Sequence, residues 1–150
     1  MSELATAKST NEDHIQSVPV FGYELIREVL LQDLLGNDAP EILYWAGKRL
    51  ARKYPLESAG HIAEFFQNAG WGSLSIKNET KNEIEMELTS PLIAERCKKN
   101  DSCTFQLEAG FIAQQIEFQK EVICEAFEHP RKKTGKIHIT VKWDKKDTPM

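Results

Sequence analysis

Hydrophobic residues recur at helical spacing through the first part of the chain. Over residues 24–35 they fall three or four positions apart and Gly36 follows as a left-handed cap, which predicts a first helix. A second helix is predicted over residues 38–54, because Asp38 and Glu41 have the spacing of a capping box. The first part of the chain is therefore expected to be helical.

The hydrophobic period changes from helical to alternating further along. Pro55 separates the second helix from a third, which is predicted over residues 56–69. Residues 71–77 and 83–88 then alternate apolar and polar positions, so both predict half-buried strands, and residues 78–82 form the hairpin turn between them. One face of this hairpin is expected to lie in the core and the other in water.

The segment after the hairpin leads into the most informative helix. Residues 91–97 fit either a helical turn or a strand extension, and residues 98–101 form a polar loop. A fourth helix is predicted over residues 102–118, and its apolar positions fall on two arcs. The first arc contains Phe105, Ala109, Ile112 and Ile116, and the second contains Leu107, Phe111 and Phe118. Two apolar arcs imply two packed sides, one of them against other helices or a partner subunit.

Two further strands, at residues 121–128 and 136–143, complete the pattern. The order is helix, helix, helix, strand, strand, helix, strand, strand, with the helices grouped and the strands paired as hairpins. This order predicts an α+β fold, in which an antiparallel sheet carries helices on one face. Residues 1–17 have little to bury and are expected to form a disordered tail, residues 18–144 a single domain, and residues 145–150 a C-terminal tail.

Composition and charge indicate one globular domain that does not bind nucleic acid. Of the 150 residues, 41% are hydrophobic and 28% are charged, which is close to globular averages. A net charge of -4 argues against nucleic acid as the main partner, because phosphate binding needs a concentrated basic field. The chain has no signal-peptide pattern and no apolar run that could cross a bilayer, and three cysteines fit a reducing compartment. We therefore expect a cytoplasmic protein without a transmembrane segment.

No residue spacing matches a catalytic or metal-binding motif. Cys97 and Cys103 have no second pair at zinc-ligand spacing, and Cys124 stands alone. A thiol nucleophile at Cys103 would need a partner histidine that the sequence does not identify, and His61 with Glu64, three positions apart, is a common surface pair. We therefore expect no catalytic residue, no metal and no cofactor, in a binding or interaction module rather than an enzyme.

The fourth helix supplies the candidate binding residues. Glu108 projects between its two apolar arcs and is expected to be partly desolvated. Glycine in a helix interior costs about 1 kcal/mol relative to alanine, so Gly110 is expected to mark a close approach by a backbone, a partner subunit or a ligand. The candidates for a ligand pocket or an interface are Phe105, Glu108, Ala109, Gly110, Ile112 and Ala113.

Three stretches of the chain carry a family resemblance. Residues 103–113 (CTFQLEAGFIA) followed by residues 122–125 (VICE) resemble the vinyl-reductase-type domain, as do residues 45–50 (WAGKRL). Over residues 21–143 the chain is similar to the YslB-like family of Gram-positive bacteria. That family shares a fold with the core subunits of the vesicle-tethering particle TRAPP and with ligand-binding domains of nitric-oxide sensing.

The resemblance implies a helical layer on a twisted antiparallel four-stranded sheet, homodimers, and in several relatives a buried apolar pocket. It places Cys124 at the first of two late cysteines suspected of metal binding, but Thr134, Gly135 and Lys136 stand near the position of the second. Two hypotheses follow. The module binds a small apolar ligand in a pocket beside residues 102–118, or it is a dimeric protein-interaction scaffold with no ligand.

Overall fold

The structure is a computed structural model that describes residues 16–99, 103–129 and 135–144. The predicted C-terminal tail and residues 1–15 of the predicted N-terminal tail lie outside these ranges. By its contacts the chain divides into two compact units. The first unit ends at Leu34 and the second begins at Leu35. The two units are described separately.

The first unit is a helical segment. It contains α1 (Val20–Glu24), a π-helical turn (Leu25–Leu30) and all but the last residue of α2 (Leu31–Leu35). The first predicted helix is therefore present, but it begins at Val20 rather than at residue 24. The extended backbone of Pro19, with φ -59° and ψ 134°, marks this earlier start.

The second unit begins with a 3-10 turn, Gly36–Asp38, that leads into α3 (Ala39–Lys53). Gly36 has the predicted left-handed conformation, with φ +67°. The predicted capping box at Asp38 is wrong, because the Asp38 side chain makes no capping hydrogen bond. Its backbone, at φ -91° and ψ 7°, continues the 3-10 turn and lacks the extended conformation of a capping residue.

The third predicted helix is α4 (Ala59–Ala69), which begins later than the sequence indicates. Ser58 supplies the cap, since its hydroxyl oxygen accepts the His61 N–H at 3.2 Å. The helix ends at Gly70, which is left-handed with φ +76°. Side-chain capping, rather than hydrophobic spacing, therefore decides where this helix starts.

The sheet has four antiparallel strands in the order β1-β2-β4-β3. The strands are β1 (Ser73–Glu79), β2 (Glu83–Thr89), β3 (Cys124–Glu128) and β4 (Lys136–Trp143). Apolar residues pair on the inner face: Ile84 lies opposite Val141, and Met86 lies opposite Ile139. Together with the helices that pack on this sheet, the strand pairing confirms the α+β prediction.

The structure also settles the segment after the hairpin and corrects the start of the third strand. The undecided segment after the hairpin is a helix, α5 (Pro91–Lys99), and the Ser90 hydroxyl accepts the Leu92 N–H at 3.1 Å at its start. The predicted strand 121–128 begins only at Cys124. Glu121 adopts a left-handed conformation with φ +57° and turns the chain before the strand forms.

The central element is α6 (Gln106–Lys120), in which every residue from Glu108 to Ile116 is buried. It packs on α3 and on β3 and β4. Phe111 also stacks on Phe65 of α4, with ring centroids 4.6 Å apart. Both predicted arcs are therefore packed over most of their length, although Phe118 at the end of the second arc is exposed.

Candidate functional site

The six candidate residues lie together in the interior of the second unit. Phe105 directly precedes α6, and the other five lie in the first half of that helix. All six are buried. The partial desolvation expected of Glu108 is complete, because no part of this residue reaches solvent. A ligand or partner would reach these residues only if neighbouring elements moved, so their role in binding stays a prediction.

The close approach expected at Gly110 is made by the backbone of α3. A Cβ atom added at Gly110 would clash with the carbonyl oxygen of Tyr44. The relationship is reciprocal, because a Cβ atom at Gly47 of α3 would clash with the carbonyl oxygen of Leu107. Two glycines thus allow the two helix backbones to touch, which larger residues would prevent.

A buried amide connects α6 to the link between α3 and α4. Gln115 donates from Nε2 to the Tyr54 carbonyl at 2.8 Å, and its Oε1 accepts the Leu56 N–H at 2.9 Å. Gln119 donates to the Leu56 carbonyl at 3.1 Å. Because Pro55, which lies between Tyr54 and Leu56, has no N–H, the link cannot form regular backbone pairing. The glutamine side chains satisfy its polar groups instead.

Side chains from both helices cover the outer edge of β3. Glu117 accepts the Cys124 N–H at 3.1 Å, and the Tyr44 hydroxyl oxygen accepts the Ala126 N–H at 3.0 Å. Burial raises the pKa of Tyr44, and the negative charges of Glu125 and Glu117 raise it further, while the hydrogen bond from Ala126 acts in the opposite direction. The N–H groups of Cys124 and Ala126 are therefore unavailable for pairing with another strand.

A groove of about 280 Å³ opens beside this covered edge, where α3, the first residue of α6 and β3 meet. Its lining combines aromatic and acidic side chains, and includes Glu41, Tyr44, Trp45, Gln106, Glu125 and Phe127. Trp45 is 58% exposed and Phe127 is 43% exposed. The groove is the place where α6 meets an open concave surface.

The charges around the groove are unevenly compensated. Lys48 lies 5.8 Å from the Trp45 ring centre and 5.9 Å from that of Tyr44, and Glu117 holds its ammonium group at 3.5 Å. The carboxylates of Glu41 and Glu125 form no ion pair or hydrogen bond with any part of the chain that the structure describes. Lys48 and Lys142 thus already lie against aromatic rings of the groove, while within the described residues the Glu41 and Glu125 carboxylates have no ion-pair partner.

A carboxylate on the sheet caps the N-terminus of α6. Glu128 Oε1 accepts hydrogen bonds from the Thr104 hydroxyl at 3.1 Å, the Phe105 N–H at 3.0 Å and the Gln106 amide at 3.1 Å. The Phe105 side chain makes no capping hydrogen bond. The Glu128 carboxylate, which projects from strand β3, caps the helix instead. Its negative charge also suits the positive end of the helix dipole.

A second cleft, of about 600 Å³, lies on the outer face of the sheet. Beside it, Glu87 is surrounded by basic groups: Lys77 at 3.4 Å, His138 at 3.8 Å and Lys136 at 4.0 Å. These basic neighbours compensate the charge of the Glu87 carboxylate. Its lining includes charged and histidine side chains, namely Lys77, Glu85, His129 and His138, together with the buried Met86, Ile139 and Thr140.

The cysteines and histidines of the described residues do not form a reactive or metal-binding cluster. All three cysteines are free thiols, and Cys103 and Cys124 are buried. Burial raises the pKa of Cys124 to about 12, and a thiol of that pKa is protonated at neutral pH. The His61 ring contacts the Ser58 hydroxyl at 2.9 Å and helps to cap α4.

Sequence reasoning identified the interior of α6 as the candidate site and missed the groove at the start of this helix. Trp45 lies on the solvent-exposed side of α3, and Phe127 shares the outer face of β3 with Glu125. An aromatic residue at a position that the alternation assigns to the solvent-exposed face is a signal that could have indicated this surface.

Among the described residues, the helices are too short or too polar to span a membrane.

The comparisons with known proteins agree with this fold. A family described as "Protein of unknown function (DUF2507)" matches residues 20–142. The "Uncharacterized protein YslB" of Bacillus subtilis (strain 168) is 50% identical over 127 residues, which cover 85% of this chain and 86% of that protein. The predicted resemblance to YslB-like proteins is confirmed.

Two solved structures share the fold at low sequence identity. A vinyl-4-reductase family protein from Methanocaldococcus jannaschii superposes with a TM-score of 0.60 at 18% identity, covering 86% of this chain and 83% of that chain. A structure described in terms of H-NOX activation gives a TM-score of 0.51 at 14% identity, covering 91% of this chain and 78% of that chain. The vinyl-reductase-type fold predicted from the sequence is thus confirmed.

Proposed function

Since this chain belongs to the DUF2507 family, whose description gives no activity, we propose a function from its surface: a non-enzymatic interaction module that forms a homodimer through residues 20–34. One observation carries the proposal, namely that the large apolar side chains of this segment are exposed. Phe21 is 72% exposed and Leu34 is 70% exposed. The others are Val20, Leu25, Ile26, Val29 and Leu30.

Burial of this face supports association between two copies. Full burial of one large apolar side chain gains about 1.5–3 kcal/mol, and about half of each is exposed. Two such faces in contact therefore gain on the order of 15 kcal/mol, which matches or exceeds the about 4–15 kcal/mol that association costs. A two-fold contact would place the same apolar residues against each other.

The polar groups of the segment are compatible with such a contact. Arg27 donates from Nη1 to the Tyr23 hydroxyl at 3.1 Å, and its Nε lies 3.4 Å from a carboxylate oxygen of Glu28. Because Arg27 and Glu28 are paired within one copy, neither needs a counter-charge from the second copy. The π-helical turn Leu25–Leu30 adds support, since such turns are frequent at functional sites.

Light scattering during size exclusion at micromolar concentration tests the dimer. The parent should have about twice the mass of 17.1 kDa. The double variant Ile26→Glu with Leu30→Glu should be monomeric, because it buries two charges in the contact. A matched double variant of exposed residues in the second unit, Phe118→Glu with Ile123→Glu, should remain dimeric. A monomeric parent, or a dimer that tolerates the first double variant, would contradict the proposal.

The binding of a small apolar molecule beside residues 102–118 is a second candidate function. It is supported by Glu108, a completely buried carboxylate between the two apolar arcs of α6. Ligand sites of this kind combine apolar walls with a few polar groups that fix orientation. Native mass spectrometry should show a bound apolar molecule that denaturation releases. A native mass equal to that of the protein chains alone, with no bound molecule, would contradict this candidate function.

A cytoplasmic location is part of the proposal. The three cysteines are free thiols, which is the state that a reducing compartment maintains. Cell fractionation with an antibody to the intact protein tests it, and recovery in the culture medium would contradict it.

A further inference from the structure

The groove formed by α3, β3 and the first residue of α6 has a chemistry that points to a particular kind of partner. We infer that it is a docking site for a partner protein that presents a lysine or arginine side chain between apolar residues. The site lies on the second unit and shares no residue with the proposed dimer surface at residues 20–34. Its failure would therefore leave the dimer proposal intact.

The aromatic side chains provide the first part of the argument. Trp45 and Phe127 expose 58% and 43% of their surfaces on the lining of one groove. Aromatic rings attract cations through their electron-rich faces, tryptophan most strongly. The chain already shows this contact, because Lys48 lies against the rings of Tyr44 and Trp45 and Lys142 lies 5.9 Å from the Phe127 ring centre.

Charge complementarity provides the second part. Glu41 and Glu125 both line the groove, and within the described residues neither forms an ion pair. Lys48 is paired with Glu117, and Lys142, which lies opposite Glu125 on β4, contacts the Phe127 ring. A positively charged side chain that enters the groove would meet two carboxylates and the faces of aromatic rings, whereas an anion would be repelled.

The size of the groove favours a protein side chain over a free small molecule. Its volume of about 280 Å³ is just below the about 300–1,000 Å³ of typical small-molecule sites, which also enclose most of the ligand. An open groove with an exposed tryptophan is typical of a protein interface, where tryptophan is enriched among the residues that dominate affinity. Side chains of this protein already occupy the Cys124 and Ala126 N–H groups of the β3 edge, which favours recognition through side chains over the addition of a strand.

Nuclear magnetic resonance titration of the full chain tests the inference. The probe is a five-residue peptide of alternating leucine and lysine, with blocked ends. It should shift the Trp45 indole N–H signal saturably and leave that of Trp71, which lies in the aromatic cluster of α4 and α6, unmoved. The same peptide with glutamine in place of lysine should bind at least fivefold more weakly.

A pair of matched variants separates the groove from general attraction to an acidic protein. Glu41→Gln with Glu125→Gln should weaken binding of the lysine peptide at least fivefold. Glu64→Gln with Glu95→Gln removes the same charge from exposed sites outside the groove and should change the affinity less than twofold. Urea melts check that both variants fold.

Four results would overturn the inference. They are an unmoved Trp45 signal, equal binding of the glutamine peptide, equal weakening by both pairs of variants, and tetramethylammonium binding as tightly as the lysine peptide. The last result would identify a site for small organic cations instead of a protein partner.

Discussion

Gly47 and Gly110 lie at one crossing of α3 and α6, and each faces the backbone of the opposite helix. Gly47 faces the Leu107 carbonyl, and Gly110 faces the Tyr44 carbonyl. Because the neighbouring atoms are backbone, no side-chain rotation can make room for a methyl group. The crossing holds the N-terminal half of α6 against the helix that carries Tyr44 and Trp45, and so it also shapes the groove.

Alanine at either crossing glycine should therefore destabilise the fold. Gly110→Ala and Gly47→Ala should each lower the free energy of unfolding by about 1–3 kcal/mol through overpacking, as measured by urea melts. Gly60→Ala is the control, since Gly60 also lies in a helix but its added Cβ would meet only Ser58 Oγ at 3.7 Å. This variant should be neutral or more stable by up to about 1 kcal/mol. A stabilised Gly110→Ala variant would refute the close crossing.

Loss of the Gln115 amide should loosen the link between α3 and α4. Gln115→Met keeps the length of the side chain but leaves the Tyr54 carbonyl and the Leu56 N–H without their partner. We expect a loss of about 1–3 kcal/mol in the free energy of unfolding, measured by urea melts. Gln67→Met, which removes an exposed contact with Ser73, should change stability by less than about 0.5 kcal/mol. Equal effects of the two variants would contradict the bridging role.

The carboxylate of Glu128 should stabilise the start of α6. Glu128→Ala removes the acceptor of three hydrogen bonds and should cost about 1.5–3 kcal/mol, because bonds to a charged group are the stronger kind. Glu125→Ala, on the outer face of the same strand, is the control and should be close to neutral. Thermal melts followed by circular dichroism measure both. A neutral Glu128→Ala variant would show that the helix start needs no acceptor from β3.

Cys124 should make stability fall with rising pH above about pH 9. Burial raises its pKa from 9.0 to about 12, so between these values the unfolded chain loses a proton that the folded chain keeps. Its contribution is fully present below pH 9 and decreases by at most about 1.4 kcal/mol per pH unit above it. Cys124→Ala should remove this part of the slope between pH 9 and pH 10 in urea melts. Identical slopes for parent and variant would contradict the raised pKa.

The sequence predicted the order of elements well because hydrophobic period is a local property. The alternation of residues 136–143 matches β4, and the two arcs of the fourth helix anticipated the burial of Phe105 and Ile112. Local chemistry was less decisive. The motif at Asp38 looked like a cap, but a preceding 3-10 turn changed its backbone, and the undecided segment became α5.

By itself, the sequence determined which faces are apolar, the order of the predicted helices and strands, and that Gly110 marks a close approach. These properties follow from spacing within a single element. Only the tertiary structure decided that Tyr44 makes this approach, that Glu128 caps a helix far from it in sequence, and that Glu41, Trp45 and Phe127 share one groove. The reason is physical: a hydrophobic period specifies that a face must be covered, whereas the covering element depends on how all the faces pack together.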